Sequence, residues 1–312
     1  MIPQLWAIAP SSRYHIEQRL RHIATVADRL ALASRQAASG PPQGATAIVP
    51  IIGTIGRWPS WWTDTSTAEI GAAFDSAIRS SSVQRVVLLI SSPGGTVDGV
   101  PEVANKIYQA RGVKPIEAVA DSQAGSAAYW IASAADSVTV VPSGAVGSIG
   151  VYARHEDWSK ANARVGVEPT YISAGPFKIE GNPDSPLSND ARAAIQADVN
   201  TIYGMFTNDV AKFRGVRQST VKTGYGQGRM LLGPQAVAAG LADRVGTLDS
   251  VLAAGASGNR NRFAASSQDD LELRRLRWEN EKRKAKTAAE DEMDDEEFKI
   301  RMRNRMRQAL SK

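Results

Sequence analysis

The octapeptide Ala124-Gly125-Ser126-Ala127-Ala128-Tyr129-Trp130-Ile131 sets one serine among small residues, with aromatic and apolar residues following. The stretch at 116–120 reads as a strand, and a helix is expected from the serine to about 135. A hydroxyl at a helix N-terminus lies beside unpaired backbone N–H groups and the positive end of the helix dipole, which favour developing negative charge. The same position also suits a plain N-cap, a frequent role for serine. Upstream, Ser91-Ser92-Pro93-Gly94-Gly95 follows the run Val86-Val87-Leu88-Leu89-Ile90. Proline stiffens that turn and the glycines permit positive φ and close backbone approach, so an N–H there could face a cleft as an oxyanion donor. A tight strand–helix turn without chemistry would have the same composition.

A serine hydroxyl is a poor nucleophile until a base takes its proton. The chain has three histidines, His15, His22 and His155, and no cysteine. Two of the histidines lie in a charged N-terminal arm, and no triad context surrounds His155. The lack of cysteine excludes disulfides, thiolate metal sites and a cysteine nucleophile, and so few histidines argue against a His-rich metal centre. A lysine amine can serve as base where burial in an apolar, partly closed site disfavours its ammonium form. Lys178 lies in Ser173-Ala174-Gly175-Pro176-Phe177-Lys178-Ile179-Glu180-Gly181-Asn182-Pro183, whose apolar members could desolvate it. From that loop alone, a solvated surface charge is the plainer reading.

In order, the strand–SPGG stretch, the serine octapeptide and the lysine loop resemble the S49 peptidase family, the signal peptide peptidase A type and its phage-encoded relatives. The resemblance spans roughly residues 45–252. SPGG is shared with the wider Clp-protease/crotonase-like fold, whereas the other two motifs at this separation are more specific. The resemblance implies an α/β fold of that kind, built of repeated βαβ units with helical N- and C-terminal extensions. It also implies a serine endopeptidase with a Ser–Lys dyad, in which Ser126 is the nucleophile and Lys178 the general base. Ser148, in the glycine- and serine-rich segment at 142–152, would hydrogen-bond the lysine. The backbone N–H groups of Gly95 and Ala127 would bind the oxyanion. Gly94, Gly147, Ile149, Gly150 and Val151 would line a groove that takes an extended peptide by strand addition. The expected reaction passes through an acyl-enzyme on Ser126 and requires no metal, nucleotide or other cofactor.

These residues need a scaffold, and 312 residues with 43% apolar content suit one large domain plus appendages. Three parts are expected: a helical arm and linker at 1–44, the peptidase domain at 45–255, and a charged linker with a helical or disordered tail at 256–312. In the arm, Ile16, Leu20, Ile23, Ala27 and Leu30 recur at helical spacing over residues 11–38. Strands at 45–52, 85–90, 116–120 and 137–141 alternate with helices at 67–79, 97–111 and the serine helix, a βαβ pattern. Further on, a helix is expected at 156–165, a strand at 168–173, and a long helix from an N-cap at Ser188 to about 213. A short helix from 233 and a turn and strand at 240–246 close the domain. Trp58, Trp61 and Trp62, in a loop at 53–65, suit a groove wall, a subunit contact or a capped core edge. In the tail an acidic cluster at 290–297 precedes a basic one at 299–307, which reads as a solvated helix, a disordered segment or a contact for capsid or scaffold protein.

The net charge of +5 permits weak attraction to nucleic acid, but no dedicated nucleic-acid module is recognisable. No stretch reaches the length of a membrane span, and residues 1–10 are too short and polar for a secretory apolar region. Signal-peptide-processing members of the family usually carry a membrane anchor, so the resemblance points to the soluble phage type. It implies protein substrates such as phage scaffold or head proteins, a homo-oligomer, and a location in the host cytoplasm or the assembling procapsid. A catalytically weak scaffold protein of the same fold and a general cytoplasmic peptide-degrading peptidase are the alternatives. A crotonase-like acyl-CoA enzyme would need a CoA site and acid/base carboxylates, and would have no use for Ser126 and Lys178.

Overall fold

The structure, a computed structural model, describes residues 6–8, 45–60 and 63–256. The expected arm helix at 11–38, Trp61, Trp62 and the tail at 257–312 lie outside the described residues. The chain divides into two units, Met1–Ala253 and Ala254–Lys312.

The first half of the described chain runs β1 (Trp6–Ile8), β2 (Ala45–Gly56), β3 (Thr65–Ser66), α1 (Thr67–Arg79), β4 (Val83–Thr96), α2 (Val100–Gln109), β5 (Ile116–Gly125) and α3 (Ala127–Ser133). It continues with β6 (Ser137–Val140), β7 (Ala145–Gly147), α4 (Ser159–Arg164), α5 (Asn189–Arg214), α6 (Gln218–Gly224), β8 (Met230–Leu232), α7 (Gly233–Ala239), β9 (Arg244–Val245) and α8 (Leu248–Ala256). The strands form one sheet whose main path is β3-β2-β4-β5-β6-β9, parallel throughout. The expected α/β architecture of βαβ units is therefore present.

The centre of the sheet is largely apolar without alternation because both of its faces are covered, the exception being Glu117 of β5, which is buried against Thr139 and Arg244. Val86, Leu88 and Ile90 of β4 and Ile116, Ala118 and Ala120 of β5 enter the main core, which also takes Ile70 and Phe74 of α1, Ile107 of α2 and the whole of α3. Val87 and Val119 point to the other face, where Val251 of α8 covers them. Successive residues on a strand serve opposite faces, so a continuous apolar run is what a two-sided sheet requires.

Several expected boundaries move. SPGG is strand rather than turn: β4 runs through Pro93, Gly94 and Gly95 to Thr96. Both of its edges are paired there, by Thr54 and Ile55 of β2 on one side and by β1 on the other. The proline is tolerated because it follows a register shift between Ile90 and Ser92, where the β4–β5 ladder is already interrupted. No strand forms at 168–173, which is exposed and without a strand partner; apolar alternation makes a strand only where a neighbour completes the ladder. The helix expected at 156–165 shrinks to α4, and that at 97–111 to α2, which begins after Gly99 with Pro101 in its first turn. The long helix is as expected, with Ser188 Oγ accepting from the Ala191 N–H at 3.1 Å and Gly215 closing the other end.

Candidate active site

Ser126 stands between the end of β5 and the start of α3, both buried. It occupies the N-cap position of α3 but does not act as a cap: φ is 52° and ψ −118°, and its side chain makes no capping bond. An N-cap serine has extended backbone and turns its hydroxyl onto the helix N–H groups. Here the backbone is in a region costly for a residue with a Cβ, of order 1–3 kcal/mol, and such strain gathers at functional sites. The turn is held by two backbone bonds, Ser126 N–H to Gly147 O at 2.8 Å and Trp130 N–H to Ser126 O at 2.9 Å. Ser126 Oγ is thereby free to turn away from the helix, and it donates at 3.4 Å to the carbonyl of Gly150.

The helix behind the serine is fixed at several points. Trp130 stacks on Phe206 of α5 with centroids 4.4 Å apart and planes 4° from parallel, and its indole N–H donates to Asp209 Oδ2 at 3.0 Å. The Tyr129 hydroxyl donates to Leu241 O at 2.9 Å, and burial pushes its ionisation well above the ordinary tyrosine value. At the C-terminal end Arg111 donates to the carbonyls of Ser133, Ala134 and Ala135 at 2.6–3.0 Å, and to Phe213 O at 3.0 Å. A cation there meets both the unpaired carbonyls and the negative end of the helix.

Ser148 follows β7 and repeats the unusual conformation of Ser126, with φ 53° and 5% exposure. Among the described residues only one other non-glycine, Gln227, has positive φ. Ser148 N–H donates to Arg229 O at 2.9 Å, which holds the segment at 148–151 beside β8. Of that segment Ile149 is buried and Gly150 and Val151 half-buried, and it passes directly over the Ser126 hydroxyl. Gly147, at φ 125°, has no room for a side chain, since a Cβ would lie 2.7 Å from Arg229 O.

Of the expected oxyanion donors, Ala127 adjoins the serine in sequence and Gly95 lies on β4, the strand next to β5. Ala127 is the first residue of α3, where backbone N–H groups have no partner within the helix. Gly95 lies in the buried end of β4, where a Cβ would fall 1.8 Å from Ile55 O, so only glycine lets β2 and β4 pair at this point. Gly94 precedes it on the same strand, which leaves β5 after Ser92 pairs with Ala124, just before Ser126.

Lys178 is placed differently from what its loop suggested. It is exposed, in a turn closed by its own N–H to Gly175 O at 3.2 Å, and among the described residues its amine is bonded to neither Ser126 nor Ser148. Its apolar neighbours do not desolvate it within one chain, for Phe177 is 71% exposed and Ile172 98%. The residues that sequence reasoning missed lie at the start of β8 and just before it: Met230 brings its sulfur 3.3 Å from a Cβ position on Gly125, and Arg229 holds Ser148. Their signal was the glycine turn at 226–228 followed by three apolar residues, too short to read as a strand. Of the tryptophan loop, Trp58 is exposed, with the Arg57 guanidinium over its ring.

Residues 109–260 match the profile of Peptidase family S49. The chain is 31% identical to Capsid assembly protease C of Escherichia phage lambda over 215 residues, 68% of this chain and 48% of that protein. It is 32% identical over 203 residues to the Head-tail preconnector protein GP5 of Enterobacteria phage P21, 64% of this chain and 40% of that one. The chain thus spans less than half the length of either phage relative. Among solved structures, a mutant of ClpP1 from Listeria monocytogenes aligns with 65% of this chain and 92% of its own at 13% identity, with a TM-score of 0.41. The matched segment contains Ser126, Ser148 and Lys178, whereas Gly94 and Gly95 precede it. Over residues 109–260 the chain is thus similar to the S49 peptidase family.

Proposed function

We propose that the chain is a serine endopeptidase that works through Ser126 and Lys178. The observation that carries this is the conformation of Ser126: a strained turn directs its hydroxyl away from a helix it is well placed to cap. In the proposed reaction Ser126 Oγ attacks a peptide carbonyl while Lys178 accepts its proton. The oxyanion is held by the N–H groups of Gly95 and Ala127. The proton passes to the leaving amine, and water then hydrolyses the ester on Ser126. Ser148, strained and buried beside the same groove, orients the lysine. Gly94, Gly147, Ile149, Gly150 and Val151 line the peptide's path.

The substrates proposed are scaffold or head proteins of a phage procapsid, by analogy with the two phage relatives. The proposed working form is a homo-oligomer, which would act in the host cytoplasm or procapsid. Tyr171, Ile172 and Phe177, in the segment that carries Lys178, are exposed, and exposed apolar side chains of that kind suit a surface that another chain covers. Burying the loop would also supply the desolvation that a lysine base needs. Among the described residues no helix is long and apolar enough to cross a membrane.

One observation favours a second reading, a catalytically weak scaffold of the same fold: the exposure of Lys178. Hydrolysis of an unfolded protein such as casein separates the two. The peptidase reading expects turnover that falls about a thousandfold or more in Ser126→Ala and in Lys178→Ala. Equal turnover in all three would remove it.

A further inference from the structure

The strand β1 is not accounted for by the catalytic reading. It pairs antiparallel with the SPGG end of β4, Trp6 opposite Thr96, Ala7 opposite Gly95 and Ile8 opposite Gly94. A strand has two hydrogen-bonding edges, and β2 takes one of them here, with Thr54 opposite Gly94 and Ile55 opposite Gly95. β1 must therefore lie on the other edge, the one that β5 occupies up to the Ser92–Ala124 pair. β5 ends at Gly125, and the next residue is Ser126. The free edge that opens where β5 stops is thus the edge beside the nucleophile, and the chain's own N-terminal segment fills it.

This is the place a substrate would need. An extended peptide binds a protease groove by adding a strand, with backbone bonds supplying sequence-independent affinity. Gly94 and Gly95 carry no side chain to obstruct such a strand, and Gly95 is also the proposed oxyanion donor. With β1 in place, Gly94, Gly95 and Thr96 are all buried, and Ser126 is 1% exposed. β1 thus occupies the edge with which a substrate strand would pair, whereas the Ser126 hydroxyl itself is overlaid by the 148–151 segment.

We propose that β1 is a cis-acting plug: residues 6–8 occupy the peptide-binding edge at Gly94–Thr96, and substrate binds only when they detach. The ligand class is any extended peptide presenting its backbone antiparallel to this edge, and the resident copy is the chain's own N-terminal segment. A pairing of three residues is short enough to be reversible. If the plug is seated in nine molecules of ten, apparent affinity for substrate is about tenfold weaker than that of the open groove. The function assigned to the plug rests on the peptidase reading, but the occupancy of the edge does not.

The test uses the full chain with Ala7→Pro and Ile8→Pro together. Ladder donors alternate along an antiparallel strand, so two consecutive prolines remove a donor whichever residue supplies it. In a Ser126→Ala background, a fluorescent peptide with the sequence of residues 4–10 is titrated into the plugged and the proline-bearing chains. The proline chain is expected to bind it about tenfold more tightly. With Ser126 intact, the proline chain is expected to react faster with a fluorophosphonate, by a similar factor. Equal peptide binding by both chains, with circular dichroism showing both folded, overturns the plug. A binding difference without fluorophosphonate labelling of either chain supports the plug and overturns the peptidase reading instead. As a second variant, deletion of residues 1–8 is expected to match the proline chain; wild-type peptide binding in that variant would also overturn the plug.

Discussion

The Ser126 N–H donates to Gly147 O at 2.8 Å, so the residue that ends β7 fixes the turn that presents the proposed nucleophile. One bond thereby couples the two strained serines, since Ser148 is the next residue and has nearly the same φ. Gly147→Ala would put a Cβ 2.7 Å from Arg229 O on a backbone already at φ 125°. The expected cost is about 2 kcal/mol or more, from strain and displacement together. Thermal melting measures that loss. Fluorophosphonate reactivity of the folded fraction should fall as well, because both serines shift.

Arg111 ties the far end of α3 to α5 through its bonds to Ser133, Ala134, Ala135 and Phe213. Arg111→Ala leaves these carbonyls without their charged donor and should destabilise the chain by about 2–3 kcal/mol. Arg111→Lys, which keeps the charge without the planar fork, should recover only part of this. Urea unfolding of the three proteins checks the order.

Trp130→Phe keeps the stack on Phe206 but removes the N–H that reaches Asp209. Burial already pushes the Asp209 carboxyl up, and the indole bond opposes that. Losing the bond raises the folded-state value further above the unfolded one. The ionised carboxylate is then the disfavoured form in the folded chain, so the deficit, about 1–3 kcal/mol, is fully present at neutral pH. It should shrink as pH falls through the raised value, where the carboxyl takes a proton. Melting temperatures of the pair between neutral pH and mild acid give the sign.

If another copy of the chain covers the Lys178 loop, specific activity should rise with protein concentration as the oligomer forms. Phe177→Asp should weaken both assembly and turnover, because it puts a charge on a surface that is to be buried. Sedimentation and casein hydrolysis across the same dilution series would reveal whether the two fall together. Turnover that is independent of concentration while the chain is monomeric would show that the site is complete in one protomer.

Much of the scaffold was legible because burial writes itself into composition. The run at 86–90 is apolar throughout and that at 116–120 is apolar except for Glu117, and both lie in a sheet covered on two faces. The cap at Ser188 was equally plain, since its chemistry is local. SPGG was misread for the opposite reason. Proline and glycines signal a turn locally, but pairing with β2 and β1, segments distant in sequence, keeps the chain extended. The conformation of Ser126 could not be read at all. A capping serine and a strained one have the same neighbours, and the difference arises from the bond to Gly147, 21 residues away. Lys178 was legible as a motif but not as an environment, since the flanking apolar residues are exposed in the single chain.

Intact-protein mass spectrometry after fluorophosphonate treatment tests the central claim most directly. A single adduct on the wild-type chain, absent from Ser126→Ala and strongly slowed in Lys178→Ala, is the expected result. An adduct that persists in Ser126→Ala, or a folded and assembled wild type that takes none, would contradict the assignment of Ser126 as an activated nucleophile.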